Sequence, residues 1–198
     1  RPDHAFRGFQ GQIESGEVKV GDEIVTLPSN ERAHIKSILV GDKDSHSAFM
    51  GQPVTLQLDK EVDVSRGCVI ASGNNLPISK SFTATILWMD DEELTPGTDY
   101  LVKLGTKQIP GILKNIQYKI DVNTGEFIPA GQLKKNEIAV CDLDLQEPVV
   151  IDEFKKHKTL GELILIDRIS NMTSACGVVE EVHEKEHSVY EGRVDRTV

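Results

Sequence analysis

His183 and His187 stand four residues apart in HEKEH, with Glu184 between them. On one face of a helix that spacing lets two imidazoles hold a zinc ion while the glutamate serves as base. The surroundings argue otherwise. VVEEVHEKEHSVYEG is charged along its length, whereas a zinc helix is normally buried and partly apolar, and no downstream motif supplies a third ligand. The stretch reads as a solvated acidic tail with incidental histidines. DDEEL at 90–94 gathers four acids, but without the alternating spacing and glycine of a calcium loop it reads as a solvent-facing turn. Lys155, Lys156 and Lys158 surround His157 in a local basic run, which reads as a solvated loop.

Other chemistries find no footing. No serine sits in a G-x-S-x-G elbow, and no G-x-x-x-x-G-K-[ST] phosphate loop occurs. Cys68, Cys141 and Cys176 are odd in number and far apart, so neither a disulfide framework nor a zinc knuckle is expected. Cys68 and Cys141 sit inside apolar strand-like runs, and their use as small hydrophobes fits a reducing, cytoplasmic setting. Acids outnumber bases 32 to 22, a net charge of -10, which argues against nucleic acid as a partner. There is no signal peptide and no apolar run long enough to cross a bilayer, so no membrane partner is expected. From the residues themselves, no catalytic, cofactor-binding or metal-binding position is assigned. They describe a binding or coupling module.

The elements that would carry such a module are strands. Val54, Leu56 and Leu58 alternate with Thr55 and Gln57, and Phe82, Ala84, Ile86 and Trp88 fall on one face of SFTATILWM. In IQYKIDV, period two places Ile116, Tyr118, Ile120 and Val122 together, opposite Gln117, Lys119 and Asp121. EIVTLP, AHIKSIL, GCVIA, DYLVKL, EIAVCDL, ELILID and TSACGVV are further strand candidates, separated by turn formers such as TPGTD and NTGEF. The opening FRGFQGQIESGEVKVGDEIV reads as strands joined by tight turns, with Gly16 and Gly21 suited to positive φ and Gly8 and Gly11 to bulges or close backbone approach. A helix, needed to complete a phosphate cradle there, does not follow.

The expected fold is all-β: two consecutive small antiparallel β-barrels, over residues 1–75 and 76–180, with 181–198 as a polar tail. SGNNLPISK at 72–80 is the expected linker. The chain opens on RPDHAF, without an initiator methionine, and is expected to be part of a longer one.

RGFQGQIESGEVKVGDEIVTLPS, HIKSIL and QPVTLQLDKEVDVSRG, in that order, resemble the second domain of translation-factor-type GTPases. LWMDDEELTPGTDYLVKLGT, IQYKIDVNTGEF, LKKNEIAVCDLDLQEPVVIDEF and GELILIDRISNMTSACGVV are similar to the third. RPDHAFRGF, LPS and VTLQLDKEVDVSRG point to one branch, the GTPase (large) subunit of bacterial sulfate adenylyltransferase. The resemblance covers about residues 1–180 and implies barrels of the domain II and domain III type. It also implies a parent complex that makes adenosine 5′-phosphosulfate and pyrophosphate from ATP and sulfate, driven by GTP hydrolysis. GTP and magnesium would sit on an N-terminal G domain absent here, so no cofactor is expected on this fragment. The implied partners are that G domain and a separate catalytic subunit. Some relatives continue into an adenylylsulfate kinase domain, and HSVYEGRVDRTV is either the approach to one or an end. The alternative is a pair of RNA-binding barrels from an elongation-factor-type GTPase.

Overall fold

A computed structural model describes residues 8–13, 17–27, 29–62, 69–71, 76–105 and 107–185. The chain divides into two compact units, whose described residues lie within 1–75 and within Leu76–His187. Every strand pairing found in either is antiparallel.

The first unit contains β1 (Gly8–Gln12), β2 (Glu17–Lys19), β3 (Glu23–Leu27), β4 (Glu31–Val40), β5 (Lys43–Ser45), β6 (Ser47–Phe49), β7 (Pro53–Leu58) and β8 (Val69–Ala71). Its main sheet runs β1-β7-β4-β3-β8, with β5 beside β4, and β2 pairs with β6 as a separate ribbon. Sheet and ribbon line a single core: Ile24, Ile35, Ile38, Ala48 and Leu56 belong to one buried cluster. The alternation read in PVTLQL holds, since Val54, Leu56 and Leu58 are all buried. Gly21 turns the chain between β2 and β3 at φ 96, a conformation that favours glycine. Gly16 and Cys68 lie outside the described residues.

The glycines of β1 do not do what their spacing suggests. Gly8 to Gln12 pair with Gln57 to Pro53 in unbroken register, and a Cβ on Gly11 would meet nothing within 4 Å. No bulge involves either glycine, and close packing does not require Gly11.

The second unit contains β9 (Ile78–Trp88), β10 (Asp99–Leu104), β11 (Lys107–Ile120), β12 (Phe127–Ile128), β13 (Ile138–Val150), β14 (Glu162–Asp167) and β15 (Thr173–His183). The order β10-β14-β15-β9-β13-β11 returns to β10, because β10 also pairs with β11. Six strands thus form a closed barrel, with β12 attached to β11. Closure leaves none of these six as a free edge. Phe82, Ala84, Ile86 and Trp88 point inward as their alternation predicts, each no more than 1% exposed. Trp88 meets Tyr100 edge-on at 5.9 Å and donates its indole N–H to the Glu92 carbonyl at 2.8 Å. A buried indole N–H needs such a partner.

Two boundaries and the phase of one strand differ from the sequence reading. Ile78, Ser79 and Lys80, read as linker, are strand, because Ile78 pairs with Val150 and Ser79 with Val149. β15 continues through His183, past the expected start of the tail, because Val182 is buried in the core. In β11 the period-two phase breaks: register shifts follow Leu113 and Ile116. Ile116 faces the core, but Tyr118 and Ile120 pair with Val140 and Ile138 on the outer face, while Val122 is exposed in the turn beyond. One extra residue in a strand flips everything after it to the other side.

Where backbones do approach closely, glycine is required. A Cβ on Gly177 in β15 would lie 2.5 Å from the Thr85 carbonyl oxygen and 2.8 Å from Ile86 Cγ2. Gly177→Ala is therefore expected to destabilise the chain by about 1–3 kcal/mol in urea unfolding, as overpacking does. Gly11→Ala, into open space, is expected to leave the midpoint nearly unchanged.

Candidate functional site

The sequence motifs that invited chemical readings are built into the scaffold. Asp90 accepts a hydrogen bond from the Ser174 hydroxyl at 2.9 Å and from the Glu92 N–H at 3.2 Å. The DDEEL turn therefore caps Trp88, and its last residue, Leu94, is fully buried. In the loop after β13, Lys156 pairs with Glu153 at 2.9 Å and Lys155 with the same carboxylate at 3.5 Å. His157 Nδ1 lies 2.6 Å from Asp152, a carboxylate buried to 5% exposure that also accepts the Glu153 N–H. Lys155, Lys156 and His157 are thus tied down by acids of their own loop.

Among the described residues, no three His, Cys, Asp or Glu side chains come together as a metal site. Of HEKEH, His183 ends β15, and Glu186 and His187 lie outside the described residues. Cys141 faces the core, where burial pushes its thiol up to about 12, and Cys176 sits half-buried on the outer face. No described helix is long and apolar enough to cross a membrane.

His183 belongs to a network that no local motif announces. Thr83 of β9 donates its hydroxyl proton to Asp142 of β13 at 2.6 Å, across 59 residues of sequence. His183 Nε2 lies 2.7 Å from the same hydroxyl, across 100 residues. A hydroxyl has one proton, so with it committed to Asp142 the imidazole must be the donor to Thr83 Oγ1. Gln117 of β11 donates to Asp142 at 2.8 Å. Alongside, Ser81 donates to Asp144 at 2.6 Å, and Lys114 reaches the other Asp144 oxygen at 3.4 Å. Ser79 completes the strip by donating to the His183 carbonyl.

Apart from Ser79, whose partner Val149 is in the core, these groups share the barrel's outer face because cross-strand partners point the same way. Register pairs Asp142 with Thr83 and Asp144 with Ser81 across β13 and β9, and His183 with Ser81 across β15. Burial pushes the Asp142 carboxyl up, but hydrogen bonds from Thr83, Gln117 and Asn115 outweigh it and hold the group below the usual aspartate range. Despite containing hydroxyl, imidazole and carboxylate, the set is not a nucleophilic triad. Thr83 is buried to 5% exposure, and its hydroxyl hydrogen points to the carboxylate rather than to the imidazole that would have to act as base. The network locks four strands together and presents a polar, acidic surface.

The family model described as GTP-eEF1A C-terminal domain-like matches residues 81–180, which span the closed barrel almost from end to end. The chain belongs to this family. It is 41% identical over 182 residues to sulfate adenylyltransferase subunit 1 of Teredinibacter turnerae, covering 91% of this chain and 39% of that protein. Subunit 1 of Shewanella woodyi is 42% identical over 180 residues, and the bifunctional enzyme CysN/CysC of Xylella fastidiosa 41% over 181. The chain spans 38% and 29% of those two proteins, respectively. Among solved structures, sup35 complexed with GDP superposes with a TM-score of 0.82 over 90% of this chain and 46% of its own, at 22% identity. The translation elongation factor SelB of Methanococcus maripaludis gives 0.72 over 92% of this chain and 41% of its own, also at 22% identity. These two establish the fold: translation-factor GTPase barrels, as the sequence motifs imply.

Thr83→Val should show what the network contributes. It strands the His183 N–H and removes one donor to Asp142, at an expected cost of about 1–3 kcal/mol at neutral pH. Because Asp142 is held below its unfolded value, its contribution is present above about pH 4 and is lost as pH falls through the lower folded value. The stability gap between wild type and Thr83→Val, followed by urea titration, should narrow as the pH drops below that point.

Proposed function

We propose that this chain is the two-barrel part of a sulfate adenylyltransferase GTPase subunit, and that it docks and couples rather than catalyses. The observation that carries this reading is the sequence identity near 41% along nine tenths of the chain to proteins named sulfate adenylyltransferase subunit 1. A numbered subunit implies a complex, and the second partner would be the catalytic subunit that transfers the adenylyl group from ATP to sulfate. GTP and magnesium would be held by a G domain outside these residues, since no segment here carries the glycine-rich cradle and lysine that phosphates require. The setting would be the cytoplasm.

The site chemistry fits that division of labour. The polar strip is saturated by its own hydrogen bonds, and the acidic turns serve the fold. What remains is a rigid barrel whose surface can be held by other proteins and moved as one body when a nucleotide-sensitive neighbour shifts. The net charge of -10 disfavours the RNA-binding alternative, because binding a phosphate backbone draws on clustered lysine and arginine.

The test is co-purification of the tagged 198-residue chain with the catalytic subunit of sulfate adenylyltransferase, alongside calorimetry with GTP and magnesium. Association with the subunit and no heat from GTP are expected. Uptake of GTP by the chain alone, or salt-sensitive capture of tRNA in place of the subunit, would contradict the reading.

A further inference from the structure

The inside of a closed barrel must be apolar, but its outside is free to be polar. The outer face of the second barrel nevertheless carries a continuous apolar row. Ile120, Ile138, Leu87, Cys176 and Ile164 are successive cross-strand partners on β11, β13, β9, β15 and β14. Their neighbours along the strands, Ala139, Ile86, Ala175, Leu163 and Leu165, are the ones in the core. At the spacing of paired strands, the row extends about 20 Å around the barrel.

A second row lies beside it: Tyr118, Val140, Thr85 and Val178 are again successive partners. Val140 is only 7% exposed yet stands outside the core cluster. Phe127 extends the patch by stacking on Tyr118 at 4.4 Å, and it is itself 66% exposed. Isolated surface hydrophobes are ordinary, but a contiguous patch of this kind marks an interaction surface.

The rim is acidic. Beyond the second row the same face presents Asp142, Asp144 and Glu181, and Glu180 is held at its border by the Thr85 hydroxyl at 3.0 Å. Lys114, the basic group within this strip, is engaged with Asp144.

The geometry points to this face as the docking surface for the catalytic subunit, through an apolar patch on that subunit rimmed by lysine and arginine. The inference rests on the proposed function and adds to it the location and chemistry of the contact. An acidic rim selects a basic one and rejects like charge. An apolar centre is the mark of a lasting subunit contact, whereas interfaces between tethered domains are more polar.

Cys176, in the middle of the row, gives a direct readout. The 198-residue chain is treated with iodoacetamide with and without the catalytic subunit, and modification of each cysteine is read by peptide mass spectrometry. In parallel, calorimetry compares wild type with a Leu87→Lys, Val178→Lys variant, whose changes lie outside the core, and with Phe49→Lys in the first unit. Binding should protect Cys176, and the double variant should bind about tenfold more weakly or worse, as loss of a central apolar contact does. Phe49→Lys should bind as wild type does.

If wild type binds but Cys176 stays equally reactive, docking lies elsewhere and this inference fails while the proposed function stands. If wild type does not bind at all, both fail. If Cys176 becomes protected in the chain alone as its concentration rises, the face belongs to a second copy, and the inference is overturned.

Discussion

The pairing of β10 with both β14 and β11 decides the architecture of the second unit. Without the β10–β11 ladder the other strands would form an open sheet with two edges. With it, each of the six strands has one face committed to a shared interior and the other to the outside. Trp88, Phe82, Leu113 and Leu143 fill that interior, each no more than 1% exposed. Every later feature follows from this commitment. Bulges in β11 and β15 must re-phase side chains, Gly177 must let two backbones approach, and the outer face becomes one continuous surface sorted by register.

That sorting explains how an acidic, hydroxyl-rich strip and an apolar row can lie on the same wall. Along β13 the outward positions run Ile138, Val140, Asp142, Asp144, from apolar to charged within four alternate residues. Partners on β9 follow the same gradient, from Leu87 through Thr85 and Thr83 to Ser81. The polar end is closed on itself, with Thr83, Gln117, His183 and Lys114 all engaged by carboxylates or by each other. The apolar end has no comparable closure within the barrel, and for this reason the docking reading centres on it.

The fold was legible because its signals are local. Alternation in PVTLQL and SFTATILW, and turn formers such as NTGEF, need no distant partner to be read; Gly125 in that turn adopts φ 75. The family was legible in the ordered run of motifs from RGFQGQIESG to TSACGVV. What escaped the sequence was non-local. The Thr83–Asp142–His183 network joins residues 59 and 100 positions apart, and nothing in SFTATIL or in VEEVHEKEH marks one as the partner of the other. The phase break in IQYKIDV was equally hidden, because a bulge is set by how the strand fits β13. Hence the apolar outer row could not be seen: alternation put Tyr118 and Ile120 on the face of core-facing Ile116 until register put them outside. HEKEH shows the converse, where a pattern with a known chemistry sits at a strand end and its first histidine serves a hydroxyl.

The central claim is that these barrels hold the catalytic subunit of a sulfate adenylyltransferase. A competition assay tests it most directly. The catalytic subunit is incubated with excess 198-residue chain, intact GTPase subunit is then added, and GTP-stimulated formation of adenosine 5′-phosphosulfate is followed. Saturable inhibition, relieved by more intact subunit, is the predicted result. Undiminished synthesis at saturating chain would contradict the claim.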